Sequence, residues 1–145
     1  MEAHGPRLRD RAVWHLGAAS AMHAVSDALF AGVYPILPMV AADLHLSYGE
    51  VGAVKALLGA SSAVLQVPAG MLAEVAGEHL LLAGGTAWVG AGFIGMALAA
   101  SFLPLLVLAV TAGIGGNTQH PVANAAVAHL YDDASRPGAI GTLNF

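Results

Sequence analysis

The sequence predicts an all-α polytopic membrane protein, and two observations carry that prediction. Hydrophobic residues make up 57% of the 145 residues and charged residues only 10%, whereas soluble domains have about 25% charged residues. The stretch 79–131 contains no Asp, Glu, Lys or Arg. It is too long for one span of about 20 residues but suits two spans joined by a turn.

Four apolar segments follow one another along the chain, and each is long enough to cross about 30 Å of hydrocarbon as a helix. We predict a polar segment over residues 1–12 and a loop with the start of a fifth span over 131–145. The bundle between them has spans at about 13–40, 50–73, 80–101 and 104–130. The first segment has no convincing signal-peptide cleavage site and is a retained span. A fifth span that begins without room to finish predicts a fragment of a longer protein.

Breaks in these segments fall at prolines. Pro68 predicts a kink in the second span, the turn at 101–104 separates the third from the fourth, and Pro121 predicts a bend in the fourth. Glycines are concentrated in the third and fourth spans, where we expect close helix packing rather than a nucleotide-binding loop.

Charge predicts the orientation and excludes one class of partner. Four arginines fall on one side of the predicted bundle, namely Arg7, Arg9, Arg11 and Arg136. Because cytoplasmic flanks retain basic residues, we predict a cytoplasmic N-terminus in a multi-pass protein of the cell (inner) membrane. The net charge of −4 offers no basic surface for nucleic acid. Cysteine is absent, which excludes disulfides and thiolate metal sites.

Polar side chains recur at helical spacing inside the first span. His23 and Asp27 are four residues apart and share a face, and Tyr34 lies seven residues beyond Asp27. A carboxyl group at membrane depth is too costly for simple packing, so Asp27 predicts a functional site. A histidine beside it is typical of a proton relay.

The fourth span has a second polar face, formed by Asn117, His120 and Asn124. The alternative for Asn124 and similar residues is hydrogen bonding that holds helices together. At the end of span two, Gln66 precedes Gly70, which permits a close helix approach, and Glu74, which lies at the membrane edge. A solvated charged turn is an equally good interpretation of that segment.

These residues resemble the major facilitator superfamily, and more narrowly its fosmidomycin-resistance-type drug transporters. The matching segments occur in the expected order over nearly the whole chain: His23-Ala-Val-Ser-Asp27, Pro35-Ile-Leu-Pro38, Leu46-Ser-Tyr-Gly-Glu-Val-Gly52, Ser61-Ser-Ala-Val-Leu-Gln66 through Gly70 to Glu74, and Gly113-Ile-Gly-Gly-Asn-Thr-Gln-His120-Pro121. Where the superfamily has an Asp and basic residues between spans two and three, this chain has Glu74 and Glu78-His79.

The resemblance implies the N-terminal part of a twelve-span secondary transporter whose spans one and four line a central cavity. Its partners would be a small-molecule substrate, protons, the bilayer and the C-terminal half of the same permease. Proton-coupling or cavity roles fall to Asp27, His23, His120, Asn117, Gln66, Asn124 and Tyr34. A cytoplasmic gate motif falls to Gly70, Glu74 and Gly77.

Proton-coupled efflux is the leading hypothesis, and three others stay open. Imidazole and carboxylate groups of His23, Asp27 and His120 suit a divalent-metal transporter or a metal-binding membrane protein. The others are a non-transporting membrane scaffold subunit and a complete four-span dimeric transporter. We predict no enzymatic activity, since no Ser or Asp pair has a recognisable catalytic motif, and we assign no cofactor or resident metal site.

Overall fold

A computed structural model of the protein describes residues 6–64, 66–116 and 119–144. These residues form seven helices. They are α1 (Pro6–Asp43), α2 (Tyr48–Val64), α3 (Gln66–Ala76), α4 (Glu78–Ala97), α5 (Phe102–Gly116), α6 (Gln119–Leu130) and α7 (Arg136–Leu143). Helix α1 is longer than the predicted first span and continues through Pro35 and Pro38.

Three stretches are long and apolar enough to cross a membrane, namely Arg11–Asp43, Glu78–Ala97 and Phe102–Leu130. Helices α2 and α3 make a fourth when they are taken as one span, with a bend of 45° between them. The predicted all-helical membrane fold is therefore confirmed, with three or four candidate spans within the part of the chain that the structure describes.

Local sequence accounts for where α2 and α4 begin. The Ser47 backbone N–H donates to the Glu50 carboxylate at 2.8 Å, and the Glu50 N–H donates to the Ser47 hydroxyl at 3.3 Å. This reciprocal pair is a capping box, which satisfies amide groups at the start of α2. Gly77 precedes α4 with φ of +93°, a backbone conformation that favours glycine because other residues have a Cβ.

Two apolar clusters occupy different parts of the bundle. One contains Ala19 of α1 together with buried residues of α3, α4, α6 and α7. The other contains Leu37 of α1 together with buried residues of α2, α4 and α5. Helix α1 contributes to both clusters, and between Ala19 and Leu37 it presents the buried polar side chains of His23 and Ser26. These polar side chains of α1 thus lie between the two apolar clusters.

Helix α5 packs most extensively against α4 and α2, and small residues allow this packing. A Cβ added at Gly92 of α4 would lie 2.7 Å from the Cβ of Ala112, and one added at Gly115 would lie 3.0 Å from the Gly85 carbonyl oxygen. Gly84 and Gly90 have nothing within 4 Å of such a Cβ. Only some of the glycines in these spans therefore mark helix contacts.

Replacing Trp88 with Phe should weaken the contact between α4 and α5. The indole Nε1–H donates to the Thr111 carbonyl oxygen at 2.7 Å, and losing such a bond costs about 1 kcal/mol. We expect a lower thermal unfolding temperature in detergent. Trp14→Phe is the matched control, since Trp14 is 80% exposed; equal shifts in both variants would contradict the assigned role of the bond.

Candidate functional site

A cleft of about 270 Å³ is lined by residues of α1, α2, α3, α5 and α6. The candidate span formed by α2 and α3 is bent by 45° between these two helices. The residues lining the cleft are Ser26, Asp27, Phe30, Gly59, Ser62, Ala63, Gln66, Gly116 and His120.

His23 and Asp27 form an ion-pair geometry along α1. The His23 Nε2 lies 3.3 Å from an Asp27 carboxylate oxygen, and the side chains are 5% and 58% exposed respectively. Their spacing of four residues places them on one helix face. The buried Nδ1 of His23 has no hydrogen-bond partner among the residues described. Buried polar atoms are usually satisfied, so an unsatisfied one indicates a site with a further role.

His120 brings the fourth span to this pair. It lies in the first turn of α6, and its ring meets the His23 ring edge-on, with centroids 4.7 Å apart. One ligand-capable atom from each of His23, Asp27 and His120 lies within 4.8 Å of the others. One residue of the polar face predicted for span four, His120, therefore lies beside the His23–Asp27 pair of span one.

Gln66 joins the same cleft from the start of α3, whereas other predicted cavity residues lie elsewhere. The Tyr34 ring is 59% exposed and lies 4.5 Å from the Lys55 Nζ, a cation–π contact. Asn124 accepts a hydrogen bond from the Asn144 amide at 3.1 Å, which links α6 to α7. Asn117 lies outside the described residues.

The predicted gate residues lie along and after α3. A Cβ added at Gly70 would be 3.9 Å from the Cβ of Pro121, so α3 passes close to α6 there. The Glu74 side chain is exposed, and Gly77 connects α3 to α4.

The two residues that replace the superfamily's basic pair have partners in the structure. Glu78 lies 2.9 Å from the Nδ1 of His129, which joins the start of α4 to the end of α6. His79 stacks on His15 of α1 with ring centroids 4.9 Å apart. These contacts hold α4 against α1 and α6 without Lys or Arg.

Several lining residues were not predicted as cavity residues, although helical spacing held a signal for them. Phe30 follows Asp27 by three residues, and Ser62 precedes Gln66 by four, so each shares a face with a predicted residue. Gly116 likewise precedes His120 by four. It matters because an added Cβ would lie 2.7 Å from the Phe30 ring and 3.2 Å from the Ser62 hydroxyl, which shows how closely α5 approaches α1 and α2.

Comparison with known proteins adds one finding to this geometry. The family model described as Major Facilitator Superfamily matches residues 19–145. The match covers the whole cleft, from Ser26 in α1 to His120 in α6. The comparisons with curated proteins and with solved structures return no significant match.

Proposed function

Because the chain belongs to the Major Facilitator Superfamily, we propose that it couples proton movement to the efflux of a small molecule, as fosmidomycin-resistance-type transporters do. Membership makes it a multi-pass membrane transporter and not an enzyme. The proposal goes further in naming the coupling ion, the direction of transport and the class of cargo.

The observation that carries the proposal is the placement of one carboxyl group. Asp27 lies within the apolar helix α1, its side chain is 58% exposed, and it lines the cleft. An ionisable group at membrane depth costs a few kcal/mol, so such groups are rare and usually mark substrate or proton pathways. Asp27 has what a proton carrier needs, namely access to the cleft and a polar neighbour.

His23 is the positioning residue in this proposal. Its Nε2 lies 3.3 Å from the Asp27 carboxylate, so it holds the carboxyl group in position at the cleft. His120 contacts the His23 ring from α6, so a movement of α6 relative to α1 changes the surroundings of the pair. In secondary transporters with alternating access, the two halves of the protein rock about a site near the membrane midplane. The contact between His120 and His23 would couple that motion to the proton site.

Gln66, with the hydroxyls of Ser26 and Ser62, supplies hydrogen-bonding groups to the cleft, while Phe30 supplies an apolar surface. We propose that they contact the cargo, together with Asn117. The pairing of Asn124 with Asn144 favours a structural role for that residue, and the contact of Tyr34 with Lys55 favours one outside the cleft.

We further propose that a C-terminal half completes the permease in the cell membrane, with the N-terminus cytoplasmic. The orientation is supported by Arg7, Arg9, Arg11 and Arg136, which the positive-inside tendency places on the cytoplasmic side. Gly70, Glu74 and Gly77 would then lie at the cytoplasmic ends of α3 and α4, where the Glu78–His129 contact closes the bundle.

A flux measurement tests the proposal. The complete permease in inverted membrane vesicles should accumulate fosmidomycin, or another small drug from a screened panel, when the lumen is acidic. One pH unit is equivalent to about 1.4 kcal/mol, so exchange for one proton supports up to about tenfold accumulation. A protonophore should abolish the accumulation. Substrate flux that is the same with and without the gradient would rule out proton coupling.

A further inference from the structure

Two imidazoles and one carboxylate from two different helices lie close together, and two of the three residues, Asp27 and His120, line the cleft. His23 and Asp27 come from α1, and His120 comes from α6. One ligand-capable atom of each lies within 4.8 Å of the others. This donor set, nitrogen from histidine and oxygen from a carboxylate, is the kind that Zn²⁺ and similar divalent ions bind.

The shortest separation fits two ligands of one ion. The His23 Nε2 and the Asp27 oxygen are 3.3 Å apart, whereas charge-assisted hydrogen bonds between such groups are about 2.7–2.9 Å long. Metal bonds of about 2.0–2.2 Å in a tetrahedron place neighbouring ligand atoms about 3.4 Å apart. The remaining separations are at most 4.8 Å. Closing them around one ion requires the exposed side chains of Asp27 and His120 to rotate toward His23.

A second observation sets His23 apart from an ordinary core histidine. It is 4% exposed, and its Nδ1 has no partner within the described ranges. A structural histidine at this depth would be expected to have both ring nitrogens satisfied. Because Nε2 is the atom beside Asp27, the unsatisfied Nδ1 does not itself bind the ion. It shows that the surrounding helices do not use both ring nitrogens of His23 for packing.

The cleft also gives access to the site and has room for an ion. Asp27 and His120 both line the cleft of about 270 Å³, which is larger than an ion with its waters requires. Three protein ligands leave a fourth position open toward the cleft, as in zinc sites that bind water or substrate.

We propose that His23, Asp27 and His120 form a binding site for a divalent transition-metal ion such as Zn²⁺ or Co²⁺, with its open position facing the cleft. The site uses the residues proposed for proton coupling, but metal binding does not depend on that coupling. Protons compete with the ion, because ligating imidazoles must be neutral and a ligating carboxylate ionised.

Titration of the purified complete permease with ZnCl₂ in detergent, followed by calorimetry, tests the proposal. We expect one ion per chain at this site and at least tenfold weaker binding in His120→Gln, whose side chain is exposed and whose replacement should leave the fold intact. Binding should also weaken as the pH falls from about 7.5 to about 5.5, the range in which histidine titrates. Titration with Co²⁺ gives a second readout, because its visible absorption reports nitrogen ligation.

Two matched variants control for adventitious binding to other histidines. His45→Asn changes an exposed residue with φ of +54°, a conformation that Asn tolerates, and His79→Gln disrupts the stack with His15. Both should leave the affinity unchanged. The proposed metal site would be overturned if wild type and His120→Gln bound Zn²⁺ with equal affinity. It would also be overturned if a control variant lost Zn²⁺ affinity while His120→Gln did not. Gradient-driven flux without Zn²⁺ binding would overturn it too while leaving the proposed transport function intact.

Discussion

Replacing Asp27 with Asn is expected to abolish proton-driven accumulation of substrate by the complete permease. Asparagine has nearly the same shape and still hydrogen-bonds to His23, but it neither takes up nor releases a proton. Removing a proton-transferring group in enzymes costs at least about a hundredfold in rate, and we expect a loss of that order in gradient-driven flux. Exchange of labelled for unlabelled substrate should persist, since it requires no net proton movement.

Asp43→Asn is the matched control for this substitution. Asp43 ends the same helix and is exposed, so its change alters the charge equally without touching the cleft. Flux in inverted vesicles with an acidic lumen should be normal in Asp43→Asn and absent in Asp27→Asn. If both variants accumulate substrate like the wild type, Asp27 is not the coupling group, even if gradient-driven transport itself is observed.

Replacing Gly113 with Ala is expected to destabilise the bundle. The added Cβ would lie 2.5 Å from the carbonyl oxygen of Leu58 and would also clash with the Ser61 hydroxyl. The Ser61 side chain can rotate, but the Leu58 carbonyl belongs to the backbone of α2. Relief therefore requires α5 to move away from α2, and overpacking of this kind typically costs about 1–3 kcal/mol. Gly113→Val should destabilise the bundle more than Gly113→Ala, because valine has two further methyl groups on its Cβ.

Gly84→Ala is the control for the helix backbone, because an added Cβ there meets nothing within 4 Å. In water alanine favours a helix over glycine by up to about 1 kcal/mol, so this variant should be neutral or slightly stabilised. Thermal unfolding in detergent and the yield of monodisperse protein measure both variants. Equal behaviour of Gly113→Ala and Gly84→Ala would show that the close approach of α5 to α2 is not needed for stability.

Much of the site was predictable from positions along single helices. The spacing of four between His23 and Asp27 placed them on one face, and the structure gives them a separation of 3.3 Å. Pro68 predicted a kink in span two, and the structure has a bend of 45° slightly earlier, between Tyr48–Val64 and Gln66–Ala76. The bend expected at Pro121 stays a prediction. Periodicity describes a helix accurately because the rise and rotation per residue are fixed.

The neighbouring helix that each side chain contacts was not predictable in the same way. Asn124 shares a helix with His120 but pairs with Asn144 of α7, and Tyr34 shares α1 with Asp27 but contacts Lys55 of α2. Likewise the pairing of Glu78 with His129 spans about fifty residues of sequence and follows from the way α4 packs on α6.

By itself, the sequence determined that this protein is an all-helical membrane protein and which residues of one helix share a face. Hydrophobicity, charge and helical period are local properties, and they suffice for those conclusions. Only the tertiary structure decided that His23, Asp27 and His120 meet, and that Gln66 and Ser62 line the same cleft. The rotation of each helix about its axis is set by contacts between helices, above all by the close approaches at Gly92, Gly113 and Gly116.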